Sequence, residues 1–128
     1  MRAFTIAAAQ SSSKKGAVEA NVQTHTEFVR VAAEHNVDLI VFPELSLAGY
    51  EPEIARDTTI AVDDARLLPL KEQAERFDMT IVVGAPVPSS GEKPHIGALI
   101  FDAGNASVYA KQFLHPSDSG RGVREEDE

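Results

Sequence analysis

Val37-Asp38-Leu39-Ile40-Val41-Phe42-Pro43-Glu44 is the stretch whose reading decides the fold. Val37 to Phe42 reads as a short apolar strand of the kind buried inside a parallel sheet. Pro43 ends it, because proline cannot donate a hydrogen bond into a ladder. Working back from this strand, Val18, Val22, Val29, Ala32 and Ala33 recur at helical spacing, with Glu19, Gln23, Glu27, Arg30 and Glu34 on other faces. The spacing predicts a helix from about Ala17 to His35, with Asn36 as a left-handed stop. Ahead of it, Ser11 to Gly16 form a loop, and Ala3 to Ala9 is a second short apolar strand.

Beyond Glu44 the chain reads as an irregular connection to Asp57, containing Gly49 and Pro52. A second helix is predicted from about Asp64 to Phe77, with Leu67, Leu70, Ala74 and Phe77 on one stripe. Asp63 or Asp64 would cap it, and Pro69 falls in its first turn. Met79 to Gly84 is a third buried strand, and Pro86 to Lys93 is rich in turn residues. Ile96 to Phe101 and Ser107 to Lys111 make two strands joined through Asp102-Ala103-Gly104-Asn105, a hairpin pattern. Strand, helix, strand, helix and three strands make an α/β chain, parallel at first and antiparallel at its end. Residues 117–128 carry one apolar residue, Val123, and close on an acidic run, so a folded unit over 1–116 and a polar, disordered tail over 117–128 are expected.

Composition narrows the function classes. At 128 residues the chain is one domain or a piece of one, 43% hydrophobic and 25% charged, which suits a globular protein. Twelve Lys and Arg against 20 Asp and Glu give a net charge of −8, which disfavours nucleic acid and anionic membrane as partners. No apolar run reaches the roughly 20 residues that span a bilayer. The N-terminal apolar stretch is too short for a signal peptide, so a cytoplasmic protein is expected. There is no cysteine, which excludes disulfides, thiolate metal sites and a cysteine nucleophile within this sequence. The four histidines, His25, His35, His95 and His115, have no local metal-binding spacing. His25 and His35 read as helix-surface residues.

Two charged residues stand where chemistry could occur. Glu44 follows an apolar strand and its terminating proline, and ligand sites in α/β sheets lie beyond the carboxyl ends of strands. A carboxylate among apolar neighbours there would hold its proton more tightly and suit general-base work; a solvent-facing loop glutamate is the plainer alternative. Lys111 ends the last strand, where its ammonium either reaches solvent or pairs with an acid.

In their local contexts these residues resemble a known family. Phe42-Pro43-Glu44-Leu45-Ser46-Leu47-Ala48-Gly49-Tyr50 is similar to the glutamate signature of the nitrilase, or carbon–nitrogen hydrolase, superfamily. Tyr109-Ala110-Lys111-Gln112-Phe113-Leu114-His115-Pro116 resembles its lysine segment, and Ala7-Ala8-Ala9-Gln10 with Asn21 resembles its opening. The resemblance implies an amidohydrolase of non-peptide amide or nitrile C–N bonds, with no cofactor and no metal. It implies Glu44 as general base and Lys111 as oxyanion stabiliser. The implied fold is the N-terminal half of an α-β-β-α sandwich, a mixed sheet with two main helices.

The departures carry equal weight. The family's cysteine lies beyond the lysine, and residues 112–128 contain none. A second glutamate found in many relatives corresponds to Ser119, with Asp118 beside it as the nearest carboxylate. The chain alone is therefore expected to be inactive, and its apolar sheet to expose a face or edge. Self-association, a complementing partner or poor solubility would follow. Two other readings stay open: a non-catalytic binding or subunit-like protein that pairs with itself or a full-length relative, and an unrelated doubly wound domain. Glu44 and Lys111 at opposite ends of the sheet would favour the last and tell against the hydrolase reading.

Overall fold

The structure, a computed structural model, describes residues 3–49, 59–90 and 94–111, with only the backbone of Lys111. The expected tail, Tyr50 and the segment after Lys111, including His115, Asp118 and Ser119, lie outside the described residues. Five strands form one sheet in the order β1 (Ile6–Ala8), β2 (Leu39–Val41), β3 (Thr80–Val87), β4 (His95–Asp102) and β5 (Asn105–Lys111). The first three are mutually parallel, with Ile6, Leu39 and Thr80 in register. β4 and β5 add antiparallel pairs, so β5 runs in the direction of β1, β2 and β3.

Helix α1 (Val18–Glu34) joins β1 to β2, and helix α2 (Leu68–Phe77) precedes β3. Right-handed crossovers between sequential parallel strands put both helices on one face, where they pack together and Gln73 Nε2 donates to the Thr26 carbonyl at 3.0 Å. Helix α1 stops as its sequence predicts: Asn36 takes φ 57°, and the His35 and Val37 amides both return to the Ala32 carbonyl. Helix α2 starts from a 3-10 turn (Ala65–Leu67) capped by Asp64, whose carboxylate accepts from the Arg66 amide at 2.8 Å. Pro69 sits in its first turn, where a missing N–H costs nothing.

Between helices and sheet lies one core, built from Val18, Val22, Val29 and Ala32 of α1, Leu67, Leu70 and Ala74 of the α2 region, and Ile40, Ile81, Val83, Leu99 and Phe101 of the strands. Each fully buried large side chain contributes roughly 1.5–3 kcal/mol. The alternate residues of the strands face the other way. There Ile6, Val41 and Tyr109 are exposed and Leu39, Val82 and Ile100 half-buried, so the sheet has an open apolar face.

Two features differ from the sequence reading. β3 does not end at Gly84 but continues through Pro86 to Val87. A strand tolerates proline where its N–H side meets no ladder. The Pro86 carbonyl points away from β4 and accepts from the Ile60 amide at 2.8 Å, so its ring lies on the flank that β2 has already left. The second concerns His25. It is 1% exposed rather than on the helix surface, because it falls on the same stripe as Val18, Val22 and Val29.

The β4–β5 turn places Ala103 at φ 47° and Gly104 at φ 91°. Both central residues with positive φ define the type I′ hairpin turn, which asparagine enters more easily than alanine. Ala103→Asn is expected to raise stability by about 1 kcal/mol, read as a higher urea midpoint with an unchanged slope.

Candidate active site

β2 is shorter than β3, and the residues after it do what a longer strand would have done. The Phe42 amide donates to the Val82 carbonyl at 2.9 Å, and the Leu47 amide to the Gly84 carbonyl at 2.8 Å. Between them the Ser46 hydroxyl accepts from the Gly84 amide at 3.1 Å. The Pro43–Ala48 turn is thereby fastened along the flank of β3. Its own backbone closes through the Ser46 amide on the Pro43 carbonyl and the Gly49 amide on the Leu45 carbonyl, with Leu45 in the left-handed region at φ 58°.

The turn also crosses over the open face of the sheet at Gly84. A Cβ at residue 84 would meet the Leu45 amide nitrogen, the Pro43 carbonyl oxygen at 2.7 Å and the Glu44 carbonyl carbon at 2.9 Å. Only glycine lets two backbones approach so closely. Phe42, Leu45 and Leu47 are buried, whereas Glu44 is exposed. The expectation of a carboxylate enclosed by its apolar neighbours is therefore corrected: those neighbours all turn inward and leave Glu44 on the outer side of the turn.

Beneath the turn lies a polar cluster that the sequence reading missed. Asn21 is buried; its Oδ1 accepts from the Lys14 amide, and its Nδ2 donates to the Lys14 and Leu47 carbonyls, each at 2.8 Å. His25 Nδ1 lies 2.6 Å from the Asn21 carbonyl and Nε2 lies 2.8 Å from the Ser46 hydroxyl. The imidazole stacks on Phe42, with centroids 4.1 Å apart and planes at 23°. Burial holds the His25 pKa below its usual value, against the opposing effect of the Asn21 carbonyl. The ring is thus neutral near pH 7. A carbonyl can only accept, so Nδ1 carries the hydrogen and Nε2 accepts from Ser46. The available signal was the i, i+4 spacing of Asn21 and His25 on the apolar stripe of α1.

Lys111 is the last residue of β5. It pairs in register with Ile96, which pairs with Pro86. Its backbone is thus two strand spacings, about 10 Å, across the sheet from Pro86. β2 and β5 run the same way, so Glu44 and Lys111 follow or close strands at the same carboxyl edge. The opposite-end arrangement that would favour the unrelated-domain reading is not found. Among the described residues no cluster of three His, Asp or Glu could hold a metal ion, and no helix is long and apolar enough to cross a membrane.

Gly84→Ala should lower stability by roughly 1–3 kcal/mol through overpacking against the turn, measured by urea unfolding. His25 sets a pH dependence of definite sign. Its folded pKa is depressed, so below about pH 6.5 the unfolded chain binds a proton that the folded one refuses, and stability falls with falling pH. The loss should be complete once pH drops below the folded pKa. His25→Gln should flatten the fall in urea midpoint between pH 7.5 and 5.5; an unchanged slope would contradict this.

Comparison with known proteins bears on what this edge is for. The chain is 28% identical over 113 residues to the glutamine-dependent NAD(+) synthetase of Thermotoga maritima, covering 87% of this chain and 19% of that enzyme. It is 45% identical over 53 residues to the Acinetobacter baylyi enzyme of the same name, covering 41% of this chain and 10% of the relative. Among solved structures, an amidase of Nesterenkonia sp. superposes with a TM-score of 0.73 at 23% identity, covering 97% of this chain and 49% of that one. A CN-hydrolase superfamily protein of Xanthomonas campestris gives a TM-score of 0.79 at 18% identity, covering 99% and 48%. The chain thus spans about half the length of these structural neighbours and a fifth or less of the two synthetases. The two solved structures share its mixed α/β fold. The carbon-nitrogen hydrolase family pattern matches residues 5–126, and the chain belongs to that family.

Proposed function

We propose that this chain is the glutamate- and lysine-bearing part of a hydrolase for small amides, with Glu44 as general base and Lys111 as oxyanion stabiliser. The observation that carries the reading is the fastening of the Glu44 turn onto β3, at the edge where β5 ends in Lys111. The sequence holds no cysteine, so the thiol comes from a second polypeptide segment that covers the open face of the sheet. Amide substrates fit the relatives: the two synthetases are glutamine-dependent, and mutants of the Nesterenkonia amidase have been solved in complex with acrylamide and with butyramide, a glutamate-to-glutamine mutant among them showing Michael addition of acrylamide at the active-site cysteine.

In that assembly Glu44 takes the thiol proton as sulfur bonds to the amide carbon. The oxyanion forms beside the Lys111 ammonium. Its collapse breaks the C–N bond, and the amine leaves with the proton from Glu44. Water then gives a proton to Glu44 and adds to the thioester, the S–C bond breaks to release the acid, and the proton on Glu44 returns to sulfur to regenerate the thiol. Each of these roles is one that a single positioned group fills: a base contributes typically 10²–10⁴-fold.

The exposed Ile6, Val41 and Tyr109 favour a second reading, in which the same face serves only for pairing, with the chain itself or with a full-length relative. The two readings part on chemistry. Pure chain incubated with glutamine, acrylamide and butyramide should release no ammonia above the blank. Turnover by the pure chain that disappears in Glu44→Gln would overturn the need for a second segment. When a cysteine-bearing second half is fused to this chain, ammonia release should appear and fall about 10²–10⁴-fold in Glu44→Gln. A fusion that binds its second half stoichiometrically yet hydrolyses nothing would favour pairing alone.

A further inference from the structure

We propose that His25 is a positioning residue for Glu44: through the Ser46 hydroxyl it fixes the Gly84 amide and so the placement of the whole Pro43–Ala48 turn on β3. The proposal rests on the reading of Glu44 as the base, but its geometry stands by itself. Three segments distant in sequence meet in one chain of hydrogen bonds. The Gly84 amide donates to Ser46 Oγ at 3.1 Å, Ser46 Oγ lies 2.8 Å from His25 Nε2, and His25 Nδ1 lies 2.6 Å from the Asn21 carbonyl. Every member is buried.

A hydroxyl alone would be a poor fastener. Ser46 rotates about one bond, and its oxygen accepts from Gly84 only while its hydrogen has somewhere else to go. His25 Nε2 gives that hydrogen one acceptor and so one rotamer. The other ring nitrogen is anchored to the helix backbone, and the ring face rests on Phe42, the residue that leads into the turn. Both ring nitrogens are spent, one on the backbone of its own helix and one on the turn. Asn21 repeats the device one helical turn earlier, tying Lys14 and Leu47 to the same helix. Helix α1 therefore acts as the rigid template against which the Glu44 turn is set, and rigid support of this kind is what a catalytic group needs to hold its geometry.

The test uses the chain itself, by nuclear magnetic resonance, with no substrate. The ¹⁵N shifts of the His25 ring should show a protonated Nδ1 and a bare Nε2 at pH 7.5. Ser46→Ala should move the Nε2 shift and leave Nδ1 protonated. In Ser46→Ala and in His25→Phe, the amides of Gly84, Leu47 and Gly49 should exchange about 10- to 100-fold faster relative to that of Leu99 in β4. Val29→Ala, a buried truncation on the same helix outside the relay, should speed all four amides alike. Should His25→Phe fail to fold, Ser46→Ala, which removes a single oxygen, carries the comparison. An Nε2-protonated ring, or relay variants that loosen the Leu99 amide as much as Gly84, would overturn the proposal. Absence of amide hydrolysis in a completed enzyme would count against Glu44 as base and leave these outcomes unaltered.

Discussion

The hydroxyl of Ser46 is the joint on which this structure turns. It takes the Gly84 amide from the sheet and faces the imidazole of His25 on α1. The segment it belongs to is neither strand nor helix. Without it a buried amide on β3 would lack an acceptor, and a buried amide left unpaired costs about 1–3 kcal/mol. The same oxygen thus satisfies a polar group of the sheet and locates the turn that presents Glu44. Stability and presentation are achieved by the same few atoms, so neither can be altered without the other.

The reason such a joint exists is the early end of β2. Parallel strands normally continue side by side, but β2 stops at Val41 while β3 runs on to Val87. That leaves one flank of β3 with carbonyls and an amide to satisfy. Phe42, Ser46, Leu47 and Ile60 satisfy them in turn. Because the groups come from a turn and not a strand, the chain can rise over the open face of the sheet. Gly84, with no Cβ, lets it cross there. A side chain at residue 84 would push the turn outward and carry Glu44 with it. Pro86, two residues further along the same flank, is tolerated for the related reason that its nitrogen meets no strand.

Much of this was legible in the sequence. The alternation of apolar runs and helical stripes gave the element order, and Pro43, Asn36, Asp64 and the Ala103-Gly104 pair marked boundaries that the structure keeps. Those signals are local, since each depends on one residue's backbone preference. The misses share a different cause. Pro86 was grouped with the turn residues that follow it because its sequence does not say which flank its nitrogen faces. His25 looked like a surface residue because a polar side chain on an apolar stripe declares itself only when its partners, Ser46 and Phe42, arrive from elsewhere. Glu44 was singled out by its position after β2, yet its degree of burial depended on which way Phe42, Leu45 and Leu47 turned. Tertiary partners decide such cases, and a single sequence does not name them.

The exposure of Glu44 then becomes informative about the chemistry proposed for it. On the proposed reading Glu44 takes a thiol proton, a step that shielding from bulk water assists. This chain supplies the position and, at the end of β5, the lysine, but not the enclosure. The open face beside the turn carries Ile6, Val41 and Tyr109, apolar groups that gain from being covered. A second layer laid on that face would bury them and exclude water from Glu44 in the same step. On the proposed reading, the free energy that drives association therefore also encloses the carboxylate. On that reading the chain stays chemically silent until it is covered, with its turn already set by Ser46 and His25 before a second layer arrives.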